Sequence, residues 1–167
     1  MEKIELPPSE ISENEVLVRE VYSPFHVNLK TQKLKPHAFK PPSQRKDVST
    51  LRLMFTTAQF CREHALIRDT PQTEYRGLAV IRNKCVISSG LNTIATPLLE
   101  HIPPLPMHAD IIHRVAGPLK GVPLEAPLLD DCKFLADHSV YYNDPEKNND
   151  TWDIELLADE CANSSQK

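Results

Sequence analysis

Fifteen prolines against four glycines, in 167 residues, constrain this chain more than any other feature. Proline fixes φ and removes an amide donor, whereas glycine supplies the positive-φ positions of tight turns. A chain with this ratio has stiff, extended connections and few left-handed turns. The length suits one domain with a real core and is too short for two ordinary ones. Hydrophobic residues at 40 % and charged residues at 25 % describe an ordinary globular composition.

Between the proline-rich connections the hydrophobic pattern predicts a short series of elements. Residues 15–22, EVLVREVY, alternate in part and are rich in β-branched side chains, which predicts a strand. Residues 23–47 read as a long loop with a short extended piece around Ala38 and Phe39. A second strand is expected over 49–55, STLRLMF. The clearest helix is 56–69: Thr56 or Thr57 can cap it, Ala58, Cys61, Ala65 and Leu66 form its apolar stripe, and Pro71 ends it. Residues 75–87 read as one strand or as two split at Asn83, and 90–99 are ambiguous between strand and helix. A late helix is expected over 124–142, with Leu128, Leu129, Cys132 and Leu135 on its buried stripe. A final short helix over 151–162 would dock through Trp152, Leu156 and Leu157, and the last few residues are expected to fray.

This order gives an α+β fold: a single domain with a small mixed sheet of three to five strands, two main helices and a long proline-rich loop. The division is a flexible lead-in over 1–14, a globular domain over 15–142 and an acidic tail over 143–167. The strand-helix-strand unit at 49–82 is long enough for a parallel crossover. No apolar run approaches the ~20 residues that span a bilayer. The acidic start, MEKIELPPSEISENE, lacks the basic-then-apolar order of a signal peptide, so the expected location is cytoplasmic and no membrane partner is expected. Cys61, Cys85, Cys132 and Cys161 show no CxxC spacing and are expected to be packed free thiols.

Charge is distributed unevenly. From Val21 to Lys46 there is no acid, while Lys30, Lys33, Lys35, Lys40, Arg45 and Lys46 lie there with His26 and His37. The last third is acidic, and the net charge of −4 makes a nucleic-acid coat protein a poor fit. The basic stretch is either a solvated loop balancing the acidic tail or a site for phosphate groups. Phe25 and Phe39 are the aromatic rings available for stacking there.

The segment PPLPMHADIIH, 103–113, concentrates polar groups in a proline-braced setting. As a strand it puts His108, Asp110 and Ile112 on one face, so the carboxylate can orient or charge the imidazole. As a helix, His108 and His113 diverge around the axis. Neither geometry brings both histidines to one metal, and none is expected. His108 is either a buried histidine tied to backbone or a general acid or base. Arg52, central in an apolar strand, is either paired with an acid or aimed at an anion.

The ordered segments VLVREVYSPFHVN, HAFKPP, DVSTLRL, RGLAVI and PLPMHADIIH resemble a group of small uncharacterised bacterial proteins. In that group a strand ending in arginine precedes a histidine, then an Ala-Phe-x-Pro segment, a Ser…Arg strand and a Pro-x-His-Ala-x-Ile segment. The resemblance covers roughly residues 15–140 and picks out Arg19, His26, Ala38, Phe39, Ser49, Arg52, His108 and Ala109. It implies positions without implying an activity.

Two functional classes follow. The first is a small interaction module or accessory subunit that binds a protein partner through the basic proline-rich loop. The second is an enzyme or sensor acting on a phosphate-bearing ligand such as a nucleotide, a dinucleotide or an RNA end. In it His26, His108 and Asp110 carry proton transfer, and Arg19, Arg52, Lys40, Arg45, Lys46 and Phe39 hold the ligand. The four glycines, Gly77, Gly90, Gly117 and Gly121, fit neither GxGxxG nor a Walker pattern, and no cofactor is expected.

Overall fold

A computed structural model describes residues 3–149, 151, 152 and 154–161. Its centre is β1 (Val16–Ser23), flanked by β4 (Asp47–Arg52) on one side and β5 (Glu74–Arg82) on the other. Beyond β4 lie β7 (His108–Ile112) and the edge strand β6 (Asn92–Ala95); beyond β5 lies the opposite edge, β8 (Val140–Asn143). All five pairings in this six-stranded sheet are antiparallel. The connection between β4 and β5, long enough for a parallel crossover, makes no such pairing, because β1 lies between the two strands. A separate two-stranded hairpin, β2 (Val27–Asn28) with β3 (Lys33–Leu34), occupies part of the stretch read as loop. The class is mixed α and β, as expected, but the sheet is antiparallel throughout rather than mixed and has more strands than the three to five anticipated.

Both faces of the sheet are covered. One packs on α1 (Ala58–Leu66) through Val18, Leu51, Leu78 and Val80 against Cys61 and Ala65. The other packs on α2 (Asn83–Ser88) and α3 (Leu128–Asp137) through Leu17, Ile81 and Ile111 against Cys85, Val86 and Leu135. Burial on both sides explains why 78–81, LAVI, is apolar at every position rather than alternating. All four cysteines are free and buried, as their spacing indicated, and burial pushes the Cys61 and Cys132 thiols up to about 12.

Local chemistry sets the element ends. Thr57 caps α1, its side chain accepting from the Phe60 amide at 3.1 Å. Residues 83–88, expected to continue a strand, turn instead into α2. Gly90, at φ 88°, lets Leu91 donate to Val86 and Gly90 to Ile87, closing a Schellman end. The buried Asn83 side chain is drawn off the strand by the Ile11 and Ser12 carbonyls and by Thr93. Ala38 and Phe39 lie in a 3-10 turn, Pro36–Phe39, rather than in an extended piece. The late helix stops at Asp137, and the β-branched and aromatic run after it pairs with β5 as β8.

Gly77 makes that last pairing possible. A Cβ there would lie 2.1 Å from the Tyr142 carbonyl oxygen, a backbone atom that cannot swing away. Gly77→Ala is expected to lower stability by about 1–3 kcal/mol, read as a lower urea midpoint. An unchanged midpoint would show that β8 does not hold this register in solution.

The two ends of the chain are tied to the domain. Arg52 binds the Pro8 and Glu10 carbonyls, and Lys84 donates its amide to Glu13. Leu156 and Cys161 are buried in the two main cores, and Trp152 packs beside Leu156. The described residues of 151–161 form no helix, and the terminal residues expected to fray lie outside the described residues. No helix among the described residues is long and apolar enough to cross a membrane.

Candidate functional site

The β1–β4 ladder contains two residue pairs, Leu17 with Arg52 and Val18 with Leu51. Beyond Val18 the strands part, and the backbone between them is bridged by a side chain. Arg19 donates Nε to the Ala38 carbonyl at 2.8 Å and Nη1 to the Ser49 carbonyl at 3.0 Å. It has no carboxylate in ion-pairing range among the described residues. Burial lowers its pKa, with Glu20 opposing. A cavity of about 280 Å³ opens at this parting, lined by Arg19, Glu20, His26, His64, Arg68 and His108 among others.

Three imidazoles reach this cavity from distant parts of the chain, each fixed differently. His26 accepts the Tyr22 amide on Nδ1 at 3.1 Å, so its proton is on Nε2. Burial, reinforced by Arg19, lowers its pKa to about 3 and keeps it neutral. His108 turns Nδ1 to the Thr96 carbonyl at 3.1 Å and hydroxyl at 2.8 Å. A carbonyl can only accept, so Nδ1 carries the proton and Nε2 is bare. Burial lowers the His108 pKa against the pull of Asp110. His64 sets Nδ1 against Glu20 Oε1, while Tyr22 donates its hydroxyl to Glu20 Oε2 at 3.1 Å. Both oxygens of Glu20 are thus engaged inside the protein.

A wider groove of about 730 Å³ adjoins the cavity and shares Arg19, His26, Ser49 and Arg68 with it. Its other walls include Phe25, His37, Lys40, Lys120 and Pro123. Glu20 is the one acid among the residues lining either space. Arg68 is exposed and, among the described residues, its side chain has no ion pair or hydrogen bond. The potential in the cleft is therefore positive, with the neutral imidazoles of His26 and His108 lining it.

Of the residues singled out in the sequence, Arg19, His26 and His108 meet at the cavity and Lys40 lines the groove. Asp110 is half-buried in the strand two places from His108, with Oδ1 unpartnered among the described residues, and burial pushes its carboxyl up. Arg52 does not line the cleft: it is 1 % exposed and pairs with Glu15 through Nε at 2.7 Å and Nη2 at 2.8 Å. Phe39 is fully buried in the core, so its ring offers no stacking surface; its carbonyl instead accepts Nε2–H of the buried His113 at 2.8 Å. Arg45 pairs with its neighbour Asp47, and Lys46 contributes a carbonyl to the His113 amide. Among the described residues no ion pair joins the basic stretch to the acidic tail.

Sequence reasoning missed Glu20, His64 and Arg68. His64 falls between Cys61 and Ala65 on α1, so it lies beside the apolar stripe. A polar residue in that position was the available signal. Glu20 was hidden because a strand alternation test treats an outward acid as solvated. No group of three or more metal-ligating side chains occurs among the described residues.

The imidazoles also predict a pH response. The folded-state pKa of His26 lies near 3 against an ordinary 6.5. Its contribution is complete above the ordinary value and is lost as pH falls below it, because the unfolded chain takes the proton first. The slope reaches about 1.4 kcal/mol per pH unit. Between pH 6.5 and 4.5, the urea midpoint is expected to fall less steeply for His26→Gln than for the parent chain. Parallel profiles for the two proteins would mean that His26 is protonated in the folded state.

No family model matches this chain, and the comparisons show no similar curated protein and no similar solved structure.

Proposed function

We propose that the cleft binds a phosphate-bearing ligand and transfers protons on it. The observation behind this reading is Arg19, a half-buried guanidinium held by two backbone carbonyls and by no carboxylate, at the junction of the cavity and the groove. A half-buried cation without a paired carboxylate keeps its charge available, and an arriving anion offsets the cost of its partial desolvation. Arg68 at the rim adds a second cation with no competing partner. Arginine forks match phosphate oxygens in geometry and charge.

The imidazoles set the chemistry. His108, neutral and with Nε2 bare, accepts the proton of an attacking hydroxyl or water. His64 returns a proton to the leaving oxygen, and Glu20 fixes its ring and offsets its charge when it is protonated. His26, with Nε2–H exposed to the same space, donates a hydrogen bond to the ligand. Reaction at a phosphate ester needs anchored phosphate oxygens plus one proton acceptor and one donor, and this set supplies them.

A second reading, a protein-binding module, draws on the loop between β6 and β7. There Ile102 is 90 % exposed, beside the part-exposed Leu98 and Leu99, in a proline-stiffened segment. Stiff loops bind with a smaller ordering penalty. Thermal shift separates the two. Inorganic phosphate, pyrophosphate and adenosine monophosphate are expected to raise the Tm above that in sodium chloride of equal ionic strength. Arg68→Ala, on the surface, is expected to remove most of that increment without changing the unliganded Tm. Equal Tm values in phosphate esters and in chloride would refute the phosphate reading.

A further inference from the structure

The two spaces differ in a way that points to the size of the ligand. The inner cavity, at about 280 Å³, holds the imidazoles and Arg19. The outer groove, at about 730 Å³, holds no proton-transfer pair; Phe25, His37, Lys40 and Lys120 are among the residues that line it. Phe25 lines the groove and is 58 % exposed, so its ring is available for contact. Lys40 and Lys120 have no ion pair among the described residues. An exposed ring and unpaired cations lining one groove are the residue types that stack a base and hold a phosphate.

The groove is also built rather than incidental. Its two walls, around Lys40 to Ser43 and Lys120 to Pro123, are stitched at Gly117, which bridges Ser43 and exchanges backbone hydrogen bonds with Gln44 and Arg45. A Cβ on Gly117 would lie 2.4 Å from both the Pro41 and Pro42 carbonyl oxygens. The chain approaches as closely as a glycine allows. Gly121, at φ 84°, turns the Lys120 loop back toward the groove.

We propose that the outer groove is a second nucleotide subsite, so that the ligand is a strand of at least two nucleotides whose terminal phosphate enters the inner cavity. This rests on the phosphate reading above. Arg19, shared by both spaces, contacts the reacting phosphate, Lys40 and Lys120 hold the next phosphate, and Phe25 stacks the following base.

The test compares adenosine monophosphate with the 5′-phosphorylated dinucleotide pApA, in ribo and deoxy forms, by calorimetric titration at two salt concentrations. The dinucleotide is expected to bind about tenfold or more tighter, in line with one added stacked base, and with a steeper salt dependence. Phe25→Ala and Lys40→Ala/Lys120→Ala are expected to bring pApA down to the affinity of the mononucleotide and to leave the mononucleotide unchanged. Gly117→Ala, which forces the walls apart, is expected to do the same, with circular dichroism to check its fold. If the mononucleotide binds and the dinucleotide binds no tighter, the subsite is overturned and the phosphate reading stands. If the surface variants weaken both ligands equally, the groove is part of one site and the subsite is again overturned. Binding of neither ligand overturns both. A preference for the ribo form would identify RNA as the source of the strand, and equal binding a single strand of either kind.

Discussion

Asp144→Ala is expected to cost about 3–5 kcal/mol of stability, the loss that follows when one partner of a buried ion pair is removed. Arg62 and Asp144 have side chains 2 % and 0 % exposed. They meet in a two-point contact, Nε to Oδ2 at 2.7 Å and Nη2 to Oδ1 at 2.9 Å. Tyr75 donates its hydroxyl to the same carboxylate at 2.9 Å, and the Arg62 fork also holds the Asn149 and Glu146 carbonyls. The Trp152 ring lies 5.1 Å from the guanidinium. Truncating Asp144 leaves a cation in the interior with nothing to balance it and frees the segment that follows β8. Urea denaturation of the single variants, and of Arg62→Met/Asp144→Leu, checks this. The double variant is expected to recover much of the loss, because apolar residues of similar size remove both charges. A single-variant loss below about 1 kcal/mol would place the pair in water.

Arg19→Gln is expected to behave oppositely: little change in stability and a large loss of ligand binding. Arg52 and Arg62 are buried with carboxylates, Glu15 and Asp144; Arg19 has carbonyls alone. Removing its charge therefore strands no charged partner, and the glutamine amide keeps a donor for one of the two carbonyls. A stability change within about 1 kcal/mol is expected. Affinity for a phosphate-bearing ligand is expected to fall by roughly 10- to 150-fold, the worth of about 1.5–3 kcal/mol for a hydrogen bond to a charged group. Arg52→Gln supplies the control, losing stability through the unpaired Glu15 while adding nothing to the binding defect at a temperature where it is folded. If Arg19→Gln unfolds the chain and binds as tightly as the parent per folded molecule, the guanidinium is a structural bridge between β1 and β4 and nothing more.

Much of the scaffold was legible along the chain because it rests on local physics. The strand over β1 and the capped helix α1 follow from β-branched content and a threonine cap, whereas the His108 segment read as strand or helix until the sheet paired it. Where local signals compete, the outcome went to packing. Asn83 ends β5 because its amide is needed by the N-terminal segment, and the residues after Asp137 join β5 because an edge was open there.

The site divides along the same line. The resemblance to the group of small bacterial proteins nominated Arg19 and His26, and the polar cluster in the proline-braced segment 103–113 nominated His108. Sequence also left Arg52 with two readings, an acid partner or an anion, and Glu15, 37 residues away, decided it. Glu20 and His64 could be recognised as a pair only once α1 lay across β1. The charge, propensity and turn chemistry of this chain are properties of neighbours in sequence, and these determined elements such as β1 and α1. Which cations keep their charge free for a ligand depends on partners brought together by the sheet, and that was decided by the tertiary structure.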